Sequence, residues 1–186
     1  MKILETALGR GHFLNIAAQA EASDATFFDA LVDLVELKHL RLIERHRADE
    51  ERHASILREC VLANGVEPYP VPAHLQYFET LVDSTHGFMR DLSNTENGIM
   101  KAYALLQVAE ERAKEQYEYI EPLIRPHDSM AADALVIIAR DEAKHIKYCQ
   151  VLSNYYAPDP KTLSAFTNYY RWIEDGVFRD FAKLCL

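Results

Sequence analysis

Residues 49–53 read Asp-Glu-Glu-Arg-His and residues 141–145 read Asp-Glu-Ala-Lys-His. Both follow one pattern, acid-Glu-x-(Arg/Lys)-His. In a helix, Glu and His three positions apart share a face one turn apart, where a carboxylate and an imidazole can converge on one cation. The chain holds three Glu-x-x-His pairs, Glu36/His39, Glu50/His53 and Glu142/His145, where about 0.7 is expected by chance from the composition. The five-residue pattern is rarer, expected in about one of eighty such chains, and it singles out the last two pairs. Both lie on apolar stripes. Ile43, Glu50, His53, Leu57 and Cys60 share one helical face, and Leu135, Ile138, Glu142, His145, Cys149 and Leu152 share another. Carboxylates and imidazoles on a buried stripe are costly unless paired or metal-bound.

The flanking sequence predicts an all-α fold. A first helical stretch carries Leu14, Ala17, Ala18, Ala25, Phe28, Leu31, Val32 and Val35 at 3/4 spacing, and a second runs from Leu40 to Val61 and stops at Asn64-Gly65. Pro68, Pro70 and Pro72 stiffen a connector, and a weaker amphipathic piece covers residues 74–92. Asn94 or Thr95 is expected to cap a third long helix that Pro122 and Pro126 end. Asp128 or Ser129 caps a fourth, and Asp159-Pro160 opens a fifth, lined by Leu163, Phe166, Tyr170, Ile173, Val177, Phe181 and Leu184. Residues 24–63 contain no Gly or Pro, so propensity alone draws one rod over 13–63, about 75 Å long. That is too long for one domain, and a turn is expected near residues 34–39, where Glu36/His39 would face solvent. The reading is a single domain over 1–186: a four-helix bundle over about 12–155, made of two helical hairpins and one long crossover, then a C-terminal helix over about 159–186.

Composition sets outer bounds. Six Gly and seven Pro in 186 residues are too few for the turns of an all-β sandwich. A formal charge of −9 argues against a nucleic-acid groove. Cys60, Cys149 and Cys185 stand far apart with no Cys-x-x-Cys, which excludes a zinc ribbon or rubredoxin-type site and suits a reducing cytosol. The N-terminal residues lack an apolar signal region, and no apolar run of 18 is present to cross a membrane. The expectation is a soluble, cytoplasmic protein.

A di-metal bundle site needs one further Glu from each of the other two helices. On the first helix, Glu21 is the inward candidate, among Ala17, Ala18, Ala25 and Phe28. On one continuous helix Glu21 and Glu50 would be about 43 Å apart; a hairpin turning near residue 35 brings them level. On the third helix Glu110 and Glu111 compete. Glu110 shares a face with Tyr103, Leu106, Ala113 and Tyr117, whereas Glu111 aligns with Glu115 and Glu118 on a polar face, so Glu110 is chosen. Tyr117, two turns further along the stripe, is either a core aromatic or a tyrosine acting at the site. The other histidines (His12, His39, His46, His74, His86, His127) are read as surface or loop. His46, four residues before Glu50 on the same face, has the best claim of these on the site.

Glu21, Glu50-Glu51-Arg52-His53, Glu110 and Glu142-Ala143-Lys144-His145 resemble the ligand set of the ferritin-like di-iron carboxylate superfamily. Bacterioferritin, rubrerythrin, ribonucleotide reductase small subunits, acyl-carrier-protein desaturases, soluble methane monooxygenase and tRNA hydroxylase belong to it. The resemblance implies that Glu50 and Glu142 bridge two irons, that His53 and His145 bind one each, and that Glu21 and Glu110 are terminal ligands. It also implies that Asp49 and Asp141 hydrogen-bond a ligand His of the other hairpin. Such a donor set suits Fe or Mn/Fe better than Zn or Cu. Two departures narrow the expected member. Position 113 is Ala where rubrerythrin-like peroxidases usually carry a further Glu, and position 51 is Glu where bacterioferritins often carry a haem-binding Met. The implied activity is a di-iron oxidase or monooxygenase that activates dioxygen or peroxide to oxidise or hydroxylate a small organic substrate, with an external electron donor. A ferroxidase or iron-storage protein is the alternative. The long crossover and the aromatic fifth helix are expected to cover a substrate pocket or form a homodimer interface.

Overall fold

The computed structural model describes residues 2–185, apart from the side chains of Asp24, Thr26, Arg90, Leu184 and Cys185; the inward place read for Leu184 and the third cysteine thiol therefore lie outside the described residues. Among those residues the protein is all-α. Its helices are α1 (Ala7–Phe27), α2 (Asp29–Val32), α3 (Leu37–Ala63), α4 (Tyr77–Ser84), α5 (Gly98–Ile124), α6 (Ser129–Tyr156) and α7 (Pro160–Cys185), with 3-10 segments at Lys2–Glu5, Ala73–Leu75 and Phe88–Asn94. Helix α1 packs along α3 and α5 along α6, α3 touches α6, and α7 lies on α5 and α4. No described helix is long and apolar enough to cross a membrane.

The unmarked turn lies at residues 33–36, where α2 ends and Glu36, at ψ 142°, precedes α3. No residue there needs positive φ, so no Gly signals the turn. Phe28 and Leu31, both fully buried, hold the chain in the core as it folds back. Helix α3 ends as its sequence predicts. Gly65, at φ +74°, takes the left-handed position that L side chains avoid. Its N–H donates to Leu62 O at 2.9 Å and that of Val66 to Val61 O at 3.3 Å, the paired closure of a Schellman motif. Arg10 Nε donates to Asn64 Oδ1 at 3.1 Å and Asn64 Nδ2 to Asp128 Oδ2 at 2.6 Å, tying the start of α1, the end of α3 and the start of α6 together. Asp128 caps α6 through Ala131 N at 3.0 Å. Asp159 caps α7 through Lys161 N and Thr162 N at 2.8 and 2.9 Å.

Three local expectations are corrected. Asn94 and Thr95 do not cap α5. Residues 88–94 are wound into a 3-10 segment, where Asn94 Nδ2 and Thr95 Oγ1 both donate back to Asp91. Helix α5 starts instead at Gly98, where a Cβ would stand 2.5 Å from Leu92 O. Pro122 does not end α5, which continues to Ile124, with Arg125 N still donating to Glu121 O at 3.0 Å although the proline has no N–H to give. His39 is buried, not solvent-facing, although Glu36 is exposed. The end of α6 covers it: His39 Nδ1 lies 2.9 Å from Tyr156 Oη, and Tyr155 packs edge-on at 4.6 Å.

Two apolar cores flank one polar layer. The first gathers Phe28, Leu31, Ile43, Leu106, Cys149 and Tyr170; the second gathers Leu14, Leu57, Val61, Tyr117, Leu135 and Ile138. Along α3 the order is Ile43, then His46, Glu50 and His53, then Leu57; along α6 it is Ile138, then Glu142 and His145, then Cys149. Leu57 is fully buried beside this layer. Leu57→Ala should destabilise the chain by about 2–5 kcal/mol, read as a fall in Tm of about 2–4 °C per kcal/mol. A change under about 1 °C would place Leu57 outside the close-packed core.

Candidate metal centre

Seven ionisable side chains meet in the polar layer: Glu21 from α1, His46, Glu50 and His53 from α3, Glu110 from α5, and Glu142 and His145 from α6. None is more than 4% exposed. The six positions singled out as ligands in the sequence are all brought together. Glu111 is not among them; it faces outward and accepts from Arg171 Nη2 at 2.9 Å. His46, which had the best claim of the remaining histidines but was not placed among the six, joins the cluster. The signal was its place one turn before Glu50 on the same stripe.

The donors form two overlapping sets. Glu21, Glu50, His53 and Glu142 make one, and His46, Glu50, Glu110 and His145 make the other; within each, one donor atom per residue lies within 4.8 Å of all the others. Donors bound at about 2.0–2.3 Å from one ion stand at most about 4.6 Å apart, so each set has nearly the spread a single cation needs. Glu50 is common to both sets. Its Oε2 lies 3.4 Å from His53 Nδ1 and its Oε1 lies 2.9 Å from His145 Nδ1. Glu142 divides its oxygens in the same way, with Oε1 3.3 Å from His53 Nδ1 and Oε2 2.9 Å from His145 Nδ1. Glu21 Oε2 approaches His53 Nδ1 at 3.1 Å, and Glu110 Oε1 approaches His46 Nε2 at 2.8 Å.

Hydrogen bonding alone does not satisfy this arrangement. One Nδ1–H can serve one oxygen well, yet three carboxylates crowd the inner nitrogen of each of His53 and His145. Glu50 Oε1 and Glu142 Oε1 are buried with no well-aligned hydrogen bond, although an imidazole nitrogen stands 2.9 Å from the first and 3.3 Å from the second. Buried orphan carboxylate oxygens are expensive, and cations between the two sets would engage them. The residues present therefore fit a pair of metal ions.

Without cations the cluster balances itself with protons. Burial, then the charge of Glu50, pushes Glu21 up to about 8. Burial, then the charges of Glu110 and Glu50, raises Glu142 well above the carboxylate range. Burial disfavours charge on Glu50, yet the close imidazoles of His145, His46 and His53 hold it well below its usual value. Glu110 is held down to about 2 against its burial, by a hydrogen bond from Glu142 and the charge of His46. Burial would depress His53, but Glu142, Glu21 and Glu50 push it up to about 12; His145 is raised in the same way by Glu110, Glu142 and Glu50. The metal-free cluster thus holds protons where cations would sit.

An outer ring orients the ligands. Asp49 Oδ2 reaches His145 Nε2 at 3.5 Å, while Asp141 Oδ2 stays 3.7 Å from His53 Nε2, beyond a hydrogen bond. The crosswise pairing of Asp with the other helix's His is made by Asp49 only; Asp141 is turned to Arg52 and Lys144 instead. Arg52 Nη2 donates to Asp141 Oδ2 at 2.7 Å and to Asp49 Oδ1 at 2.8 Å, and Lys144 Nζ also donates to Asp141. Arg52 and Lys144 occupy the basic place of the five-residue pattern, and their part in the site follows from it. Tyr117 Oη donates to Glu21 Oε1, so this tyrosine touches a candidate ligand and is not merely core.

Beside Glu21 and Tyr117 a cavity leaves about 80 Å³ free, walled by Phe13, Ala17, Phe78, Ala113 and Phe181. Helices α4 and α7 form one of its walls through Tyr77, Phe78 and Phe181. Tyr77 Oη donates to Glu174 Oε1 at 2.6 Å, and Arg112 grips Glu174 at 2.8 and 2.9 Å, which fastens α4 and α7 to α5.

Comparison with known proteins finds no family model, no curated protein and no solved structure that matches the chain. Its class rests on fold and site: an all-α protein with two buried His/Glu clusters able to chelate metal, consistent with the ferritin-like di-iron helical bundles.

Proposed function

We propose that this chain is a di-iron oxidoreductase (Mn/Fe as a variant) that oxidises or hydroxylates a small organic substrate with dioxygen or peroxide. Its helices are read as a ferritin-like bundle, with α1/α3 and α5/α6 as the hairpins and residues 64–97 as the crossover. The observation that carries the reading is a pair of buried donor sets sharing Glu50, with an apolar cavity bordered by Glu21. Glu21 and His53 would hold one ion, Glu110 and His145 the other, with Glu50 and Glu142 reaching both. Iron held there would supply the electrons that reduce the oxidant, with an external donor to restore them. The protein's own part is to exclude water with the two apolar cores, to hold the Tyr117 hydroxyl as a proton donor against Glu21, and to seat an apolar molecule against that edge. A storage protein would not need a largely apolar cavity there.

The test is anaerobic loading with Fe(II), followed by dioxygen and a panel of small apolar compounds. The proposal expects two irons per chain and oxygen consumption that becomes coupled to product when a fitting compound is present. Turnover of many irons per chain, indifferent to any organic compound, would instead make the protein a ferroxidase. Ala113→Phe fills the cavity wall and should weaken binding of the organic compound at least about tenfold, as expected for a lost apolar site of this size. Metal content should stay unchanged; unaltered compound binding would place the substrate elsewhere.

A further inference from the structure

The two donor sets are unequal, and the inequality is written in one residue. Four positions before Glu50 stands His46; four positions before Glu142 stands Ile138, an apolar residue of the second core. The paired motifs thus make the site pseudo-symmetric, while His46 adds an imidazole on one side only. Its Nε2 lies 2.8 Å from Glu110 Oε1 and 3.1 Å from Glu50 Oε1. Its ring is clamped between Phe28, at 4.5 Å, and His145, stacked at 3.9 Å with planes 29° apart. That clamp fixes the edge it presents. Stacked so closely, the two imidazoles disfavour charge on each other.

We propose that His46 is a third imidazole ligand and that it makes the two metal positions chemically different. This rests on the two-metal reading above and goes beyond it. One position, with His46, His145 and Glu110, offers two nitrogens. The other, with His53 and Glu21, offers one, and Glu50 and Glu142 reach both. Imidazole favours later divalent metals such as Fe(II) or Co(II), and carboxylate suits Mn(II). The His46 position should therefore fill first and prefer the later metal, with the Glu21 position left to take manganese.

Two measurements test this without reference to activity. Crystals of the wild-type chain, equilibrated without oxygen in equimolar Mn(II) and Co(II), are read by anomalous scattering at both edges. Cobalt should dominate at the His46 position, within about 2.0–2.3 Å of Nε2, and manganese at the Glu21 position. Calorimetric Co(II) titration of His46→Ala should show one site weakened by at least about tenfold to a hundredfold and the other unchanged. Equal metal mixtures at both positions, or a metal that leaves His46 unbound, would overturn the inference while leaving the two-metal reading intact. So would a variant that keeps both wild-type affinities. A wild-type chain that takes up no divalent metal overturns both.

Discussion

Glu50→Gln should empty both metal positions at once. Glu50 is the one carboxylate in both donor sets, with Oε2 3.4 Å from His53 Nδ1 and Oε1 2.9 Å from His145 Nδ1. Gln keeps the shape but replaces one anionic oxygen by an amide NH2, which donates and cannot ligate a cation. Residues that only orient a ligand cost about 10- to 100-fold in metal affinity; loss of a shared ligand should exceed that at each position. Glu21→Gln is the control, because Glu21 belongs to one set only, and it should weaken one position and spare the other. Metal content after gel filtration, with circular dichroism to verify helicity, separates the outcomes. If Glu50→Gln retains two ions per chain, Glu50 does not bridge, and the overlap of the two sets is a property of the metal-free protein alone.

Metal loading should also raise thermal stability, by an amount that grows with pH. An ion at about a hundred times its Kd contributes about 2.7 kcal/mol per position. For a chain of this size that is roughly 5–10 °C in Tm. The pH dependence follows from groups raised above their ordinary values. Unfolded Glu21 ionises near 4.5, but in the folded metal-free chain it keeps its proton up to about 8. Its contribution to metal-free stability is therefore full below pH 4.5 and is lost as pH rises toward 8. His53 behaves alike over a higher window, from its ordinary 6.5 to about 12. Bound metal must displace these protons, so affinity rises with pH and loading releases protons measurable in weakly buffered solution. The Tm gap between loaded and metal-free protein should widen from pH 5.5 to 8. A gap that is flat or narrows over that range would remove Glu21 and His53 from the coordination sphere, and chelation without any change in Tm would remove the site.

Much of this was legible in one dimension because it is governed by neighbours in the chain. Asp128 and Asp159 cap the helices their positions suggest, and Asn64-Gly65 closes α3 through bonds within six residues. Glu50/His53 and Glu142/His145 share faces because a helix turns once in about 3.6 residues. Glu110 rather than Glu111 points inward for the same reason. Where a local rule met a competing partner it misled: Asn94 and Thr95 were drawn to Asp91 and not to the start of α5.

The sequence by itself determined the long helices, the caps of α6 and α7, the close of α3, and the stripes on which Glu21, Glu50, His53, Glu110, Glu142 and His145 ride. Only the tertiary structure decided what those stripes meet. The turn at residues 33–36 comes from burial of Phe28 and Leu31 and from no residue special to turns. His39 is buried because the end of α6 lies over it. Arg52 draws Asp141 away from His53, and His46 enters the centre because Phe28 and His145 hold its ring there. Periodicity is a property of one helix and can be read along the chain, whereas convergence depends on the register and rotation between helices, which packing alone sets.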